Sequence, residues 1–409
     1  MNANLLSTSF WRMGPVVIFV SRAQPSIVSF MMNHSLYFLS IFVASIASAS
    51  LLFRTHFFRF LDEESGSVRR VIGLDGLRFY LAAFVVLHHI DCFHVFVETG
   101  RWAPSQYYLW ALGKYGVALF FMITAFLFWG KIRNRDNVDW VSLYRGRAFR
   151  IAPMAIFSSL TAVTIITIYS FGKDGFFFDI KNVIPWFDAS IFDFKPAFTN
   201  FKTPQVAMAG VTWSLKWEWM FYFLLPLLFI FRNKGLEFSI AACALCFYIL
   251  PQISLKDAYI WSYFAFGILC KELSLIIRIN NRASSLLALA ALAVLFLSEP
   301  GLFSVTGTPL LALIFLCVAC GSDIFGALSM QSAKRLGAIS YSIYIMQGPV
   351  LFTSFIAIKK YGLQLYTVTS AFLVSLTFVL LCMLCSITYV LVEKRFMHGF
   401  FKSADLKTQ

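Results

Sequence analysis

Long apolar stretches make up most of this chain, divided by short polar or charged segments. Runs long enough for a helix to cross a bilayer lie at about 74–94, 108–130, 151–171, 211–231, 236–254, 257–270, 283–298, 305–322, 336–358 and 368–392. The sixth and seventh are short, and a further run at about 35–53 precedes them all. The pattern predicts an all-α fold: a polytopic membrane helical bundle of ten core transmembrane helices plus an extra N-terminal helix.

Composition agrees. The 409 residues are 59% hydrophobic and only 13% charged, where a soluble protein carries about 25% charged residues. Little chain remains for a separate soluble domain. The formal net charge of +14 could suggest nucleic acid, but no basic, aromatic-interleaved soluble module exists to bind it. Lys and Arg gathered on the cytoplasmic side of a membrane protein account for the charge better. With residues 54–73 placed in the cytoplasm, the inner segments hold 21 Lys and Arg residues and the outer loops hold 8. That asymmetry supports ten crossings with the C-terminus cytoplasmic.

The first 53 residues admit several readings. The run 35–53 is an eleventh helix with the N-terminus outside, or a signal anchor. The small residues Ala44, Ala47, Ser48 and Ala49 also permit cleavage, while Arg12 and Arg22 weigh against an outside N-terminus. Eight cysteines include three C-x-x-C spacings, Cys243/Cys246, Cys317/Cys320 and Cys382/Cys385, all within apolar runs. Helix packing by small apolar thiols is the plainer reading, and a metal or redox site the other. The outer connector 172–210 is long, which suits a lid or acceptor-facing element, or an interfacial loop with aromatic anchors.

Ionisable residues inside apolar runs are costly and point to function. Arg78 and His89 lie eleven positions apart in one run, close to three helical turns, so they share a face about 16 Å apart along the axis. His89 falls in the outer half of the bilayer, whereas Arg78 lies near the cytoplasmic end, where an arginine can also snorkel to headgroups. Asp75 caps the helix or pairs with Arg78, and His88 points elsewhere and is read as structural. Arg147 and Arg150 share a face where the third core helix leaves the cytoplasm. They are either positive-inside charge alone or an anion site aided by the helix dipole. Glu218 opens the fourth core helix from outside, about 10 Å below the surface, at a depth close to that of His89. This depth suggests a Glu–His pair, with a structural Glu–Lys or Glu–Trp contact as the alternative.

The run DGLRFYLAAFVVLHH, with Arg78 and His89 at its two ends, resembles the opening helix of the acyltransferase-3 family of integral-membrane O-acyltransferases that modify surface polysaccharides. Four more segments agree in order and spacing: GVALFFMITAF (116–126), RAFRIAP (147–153), TWSLKWEWMFYFLLP (212–226) and LGAISYSIYIMQGPV (336–350). The chain departs from the family pattern at two places. Thr124-Ala125-Phe126 stands where Ser-Gly-Phe is usual, and Gln347 replaces the usual His of the ninth helix. Gln347 keeps a hydrogen-bonding group but does not titrate.

The resemblance implies a membrane acyltransferase domain over residues 70–395, with an N-terminal extension (1–69) and a cytoplasmic tail (396–409). It implies a bacterial inner-membrane O-acyltransferase with acetyl-CoA, or another acyl-CoA, as cytoplasmic donor substrate and no permanently bound cofactor. The acceptor would be a hydroxyl of a surface or lipid-linked glycan, such as a lipopolysaccharide O-antigen. On this reading Arg78, Arg147 and Arg150 hold the donor, with Thr124 beside it. His89 is the base or transient acyl carrier, Glu218 orients it or the acceptor, and Trp213 lines the sugar pocket or packs between helices. The lipid bilayer is the remaining partner. A secondary transporter of a sugar-lipid or anion is the competing reading, though no internal duplication supports it. A membrane sensor would need no catalytic histidine.

Overall fold

The computed structural model describes residues 25–62, 73–249, 258–300, 304 and 306–397. Among these residues there is no strand, and every predicted run contains a helix. Helix α1 spans Pro25–Arg54, α2 Leu74–Thr99, α3 Tyr107–Ile132 and α4 Trp140–Ser170. After a long connector come α5 Thr212–Phe229, α6 Gly235–Ala244, α7 Ala258–Ile276, α8 Asn281–Leu297 and α9 Gly307–Ala319. The short α10 (Gln331–Ala338) leads into α11 (Ser340–Lys360) and α12 (Val368–Thr388). Seven of the described helices are long and apolar enough to cross a membrane: α1, α2, α3, α4, α7, α11 and the α12 helix carried on to Met397. The apolar helices at α6, α8 and α9 are shorter. The all-helical membrane bundle is therefore present; among the described residues, length and composition do not settle whether the crossings number ten.

Helices α2, α3, α7 and α11 form the centre of the bundle, with α2 on α3 and α11, and α3 on α7. Large apolar side chains on the rim, among them Leu160, Ile168, Phe223, Leu227, Leu286 and Phe372, are exposed; lipid is the solvent that suits them. The α3–α7 contact is close because Gly267 faces Met122 and Ala125; a Cβ at 267 would collide with the Met122 carbonyl oxygen. The methyl group of Ala125, in place of the family's usual glycine, is thus accommodated by a glycine on the opposite helix.

Two boundaries differ from the sequence reading. Helix α4 starts at Trp140, capped by Asp139, whose side chain accepts from the Ser142 N–H. Arg147 and Arg150 therefore lie two to three turns inside the helix. The dipole at its N-terminus, which acts within the first turn, does not reach them. The other difference is in the connector 171–211, which folds back into the bundle. Val206, Ala207, Met208, Ala209 and Val211 are almost fully buried, and Ala209 and Gly210 take left-handed backbone angles that turn the chain. Gly348 of α11 admits this segment, since a Cβ there would overlap Met208. Irregular backbone is tolerated at such depth only where protein surrounds it. Helix α5 consequently begins deep in the bundle rather than at its edge. Nearer its start, the connector carries Phe171, Phe177, Phe178, Phe192 and Phe194 exposed, as an interfacial loop would.

Helix α1 packs on α12 and α10. At one end Arg335 forks onto Asp62, at 2.7 and 2.8 Å, and donates to the Phe53 and Thr55 carbonyls. At the other, Tyr37 hydrogen-bonds His94 and Ser370, both at 3.0 Å. The run 35–53 is thus an integral helix of the bundle, with Ser45 and Ala49 buried. Residues 1–24, with Arg12 and Arg22, and 398–409 of the expected tail lie outside the described residues.

The Arg335 hydrogen bonds hold the Asp62 carboxyl below the usual carboxylate range. A lowered native value means that the stabilisation is complete at neutral pH and is lost as pH falls through the carboxylate range. Arg335→Ala is expected to cost roughly 2 kcal/mol, read as a lower unfolding temperature in detergent at pH 7 and faster proteolysis after residue 54. That deficit should shrink below about pH 4.

Candidate functional site

Helices α2, α3, α4, α5, α7, α10 and α11, with the continuation of α12 past Thr388, line a cavity of about 740 Å³, within the range of small-molecule and cofactor sites. Its wall carries five cations, Arg78, Lys131, Arg147, Arg150 and Lys271, against three carboxylates, Asp75, Glu218 and Glu393. Thr124 also lines it. The sequence reading thus named Arg78, Arg147, Arg150 and Thr124 on one wall. Lys131, Lys271 and Glu393 were missed, although each is the first charge past the end of an apolar run.

The charges are partly neutralised among themselves. Arg78 pairs with Asp75 at 3.3 Å. Arg150 lies 4.0 Å from Glu393, which is buried and accepts from the Ser342 hydroxyl at 3.0 Å. Glu218 accepts a hydrogen bond from the Tyr222 hydroxyl one turn away. Arg147 lies over the Phe128 ring, 4.9 Å from its centroid. A surplus of two positive charges remains on the wall. An anion entering the cavity would offset that surplus.

His89 is not among the residues lining this cavity. It is buried, with Nδ1 3.0 Å from the Gln347 Oε1. Gln347, fully buried, donates from Nε2 to the Tyr344 carbonyl at 2.8 Å. Tyr344 does line the cavity, and its hydroxyl lies 2.6 Å from the Ser214 hydroxyl. Gln347 thus links His89 to the backbone of a residue on the cavity wall. On the other side the Trp102 ring lies nearly parallel to His89, with centroids 6.1 Å apart.

The expected pairing of Glu218 with His89 is not formed; the partners are Tyr222 and Gln347 respectively. The depth estimate had assumed that α5 starts at the membrane surface. Because the chain re-enters before Thr212, Glu218 is carried down among the arginines. Trp213 does not line the cavity; it packs edge-on to Phe121, with the Lys114 ammonium 5.1 Å from its ring centroid. Lys114, one cation within the apolar run 108–130, had gone unremarked. His88 is held by the Leu109 carbonyl, 3.0 Å from its Nδ1.

The acyltransferase-3 family model, described as an acyltransferase domain, matches residues 71–389. The chain belongs to this family. It is a membrane acyltransferase, with the helical extension α1 preceding the matched region. No curated relative and no solved structure matches it.

The Arg150–Glu393 pair gives a direct test of the charge balance. Arg150→Gln leaves Glu393 buried with less compensating charge, so about 3 kcal/mol of stability should be lost. Adding Glu393→Gln should restore most of it. Thermal unfolding of the two single variants and the double variant in detergent measures the coupling.

Proposed function

We propose that this acyltransferase moves an acyl group, acetyl being the expected one, from a cytoplasmic acyl-CoA to a hydroxyl of a surface or lipid-linked glycan. The observation that carries the reading is the cation surplus around the cavity. A coenzyme A thioester supplies several phosphate charges at one end and an uncharged arm at the other. Arg78, Arg147 and Arg150 suit the phosphates, guanidinium being a good bidentate partner for them. The arm would run along Thr124 toward Ser214 and Tyr344.

His89 is the group best suited to the chemistry. Its Nδ1 faces an oxygen acceptor, so Nε2 carries the lone pair. As a base, Nε2 takes the proton of the acceptor hydroxyl while that oxygen attacks the thioester carbonyl. The carbon–sulfur bond breaks, and the proton passes to the leaving thiolate, giving the ester and free thiol. The same lone pair can instead accept the acyl group first and pass it on. Glu218, bonded to Tyr222 among the arginines, belongs to the donor side in this scheme. Trp102, beside His89, is better placed than Trp213 to meet an acceptor sugar.

Two measurements test this. Mass spectrometry of surface glycans with and without the protein should show a difference of one acyl group; identical glycans, or solute transport with no acyl-CoA dependence, would contradict the proposal. In purified protein, His89→Ala should lower transfer by about 100-fold or more while acyl-CoA still binds. Arg147→Ala and Arg150→Ala should chiefly raise the KM for acyl-CoA, by about 10-fold each.

A further inference from the structure

The hydrogen bonds around Gln347 settle which ring nitrogen of His89 is free. An amide side chain can usually be turned end for end, which leaves the tautomer of a neighbouring histidine open. Here the amide nitrogen is committed: it donates to the Tyr344 carbonyl one turn earlier in α11, at 2.8 Å. A carbonyl oxygen accepts and cannot donate, so the flipped amide would place two acceptors against each other. The Gln347 oxygen must therefore face His89, and it does, at 3.0 Å from Nδ1. That nitrogen must bear hydrogen.

We propose that Gln347 is a positioning residue that locks His89 in the Nδ1–H tautomer, leaving the lone pair on Nε2 for the acyl-transfer step. The proposal rests on His89 being the reactive base or acyl carrier. Gln347 acts through His89 and touches neither substrate. Several features keep the lock rigid. Gln347 is wholly buried, its helix position is pinned by the Met208–Ala209 segment seated on Gly348, and Tyr344 is tied to α5 through Ser214. A neutral amide also differs in kind from a carboxylate or an imidazole at this place, since it orients the ring without exchanging a proton with it.

Two independent readouts test the lock. In lipid-reconstituted protein labelled with 15N-histidine, the His89 signals, identified by their loss in His89→Gln, should show a protonated Nδ1 and an unprotonated Nε2. In Gln347→Leu this preference should disappear. The kcat for acyl transfer should then fall about 10- to 100-fold, the worth of one or two buried hydrogen bonds. The KM for acyl-CoA should stay within about twofold, and that unchanged donor affinity shows the variant to be folded. Gln347→His, which retains a ring nitrogen able to accept, should recover part of the lost kcat. An Nε2–H tautomer in the unaltered protein, or a wild-type kcat in Gln347→Leu, would overturn the proposal. Full activity in His89→Ala would instead remove the catalytic assignment of His89, while the nitrogen spectra would still judge the lock.

Discussion

Positive charge gathered inside an apolar bundle dominates this structure. Five cations and three carboxylates line one cavity, and the low dielectric around them magnifies every imbalance. The internal pairs Arg78–Asp75 and Arg150–Glu393 absorb part of the charge. In the proposed function, what remains suits the cavity to a polyanion. Substrate selection on this account is an electrostatic matter settled at one end of the bundle, before chemistry begins at His89.

The His89 imidazole sits apart from that charge, off the cavity wall. It is connected to the cavity wall through Gln347 and the Tyr344 backbone. Separation has a chemical use. An imidazole close to several guanidinium groups would still be a neutral base, but any cation formed on it during transfer would be destabilised. Placing a neutral amide against His89 keeps the ring oriented without adding charge. The re-entrant segment 204–211 makes this arrangement possible, since it sets the starting depth of α5 and seats against α11 at Gly348.

Much of the architecture was legible in the sequence, because apolar length is what a bilayer demands. Each apolar run holds a helix, and Arg78, Arg147 and Arg150 reach a common wall, as their cytoplasmic-end positions and the family resemblance implied. The failures share a cause. Depth counted along a helix is reliable only if the helix starts at the membrane edge. For α5 it does not, so Glu218 was placed beside His89 when its partner is Tyr222. Helix α4 began eleven residues earlier than its apolar run because its first turns are polar and start from an Asp139 cap. Gln347 was noticed as a departure from the family's usual histidine, but its contact with His89 joins positions 258 residues apart. No local pattern reports such a contact.

The most direct measurement is an experimental structure of the protein in lipid with a non-hydrolysable acyl-CoA analogue bound. The account predicts the phosphates among Arg78, Arg147 and Arg150 and the acyl carbon facing Nε2 of His89. Phosphates bound away from those arginines, or an acyl end walled off from His89, would contradict it.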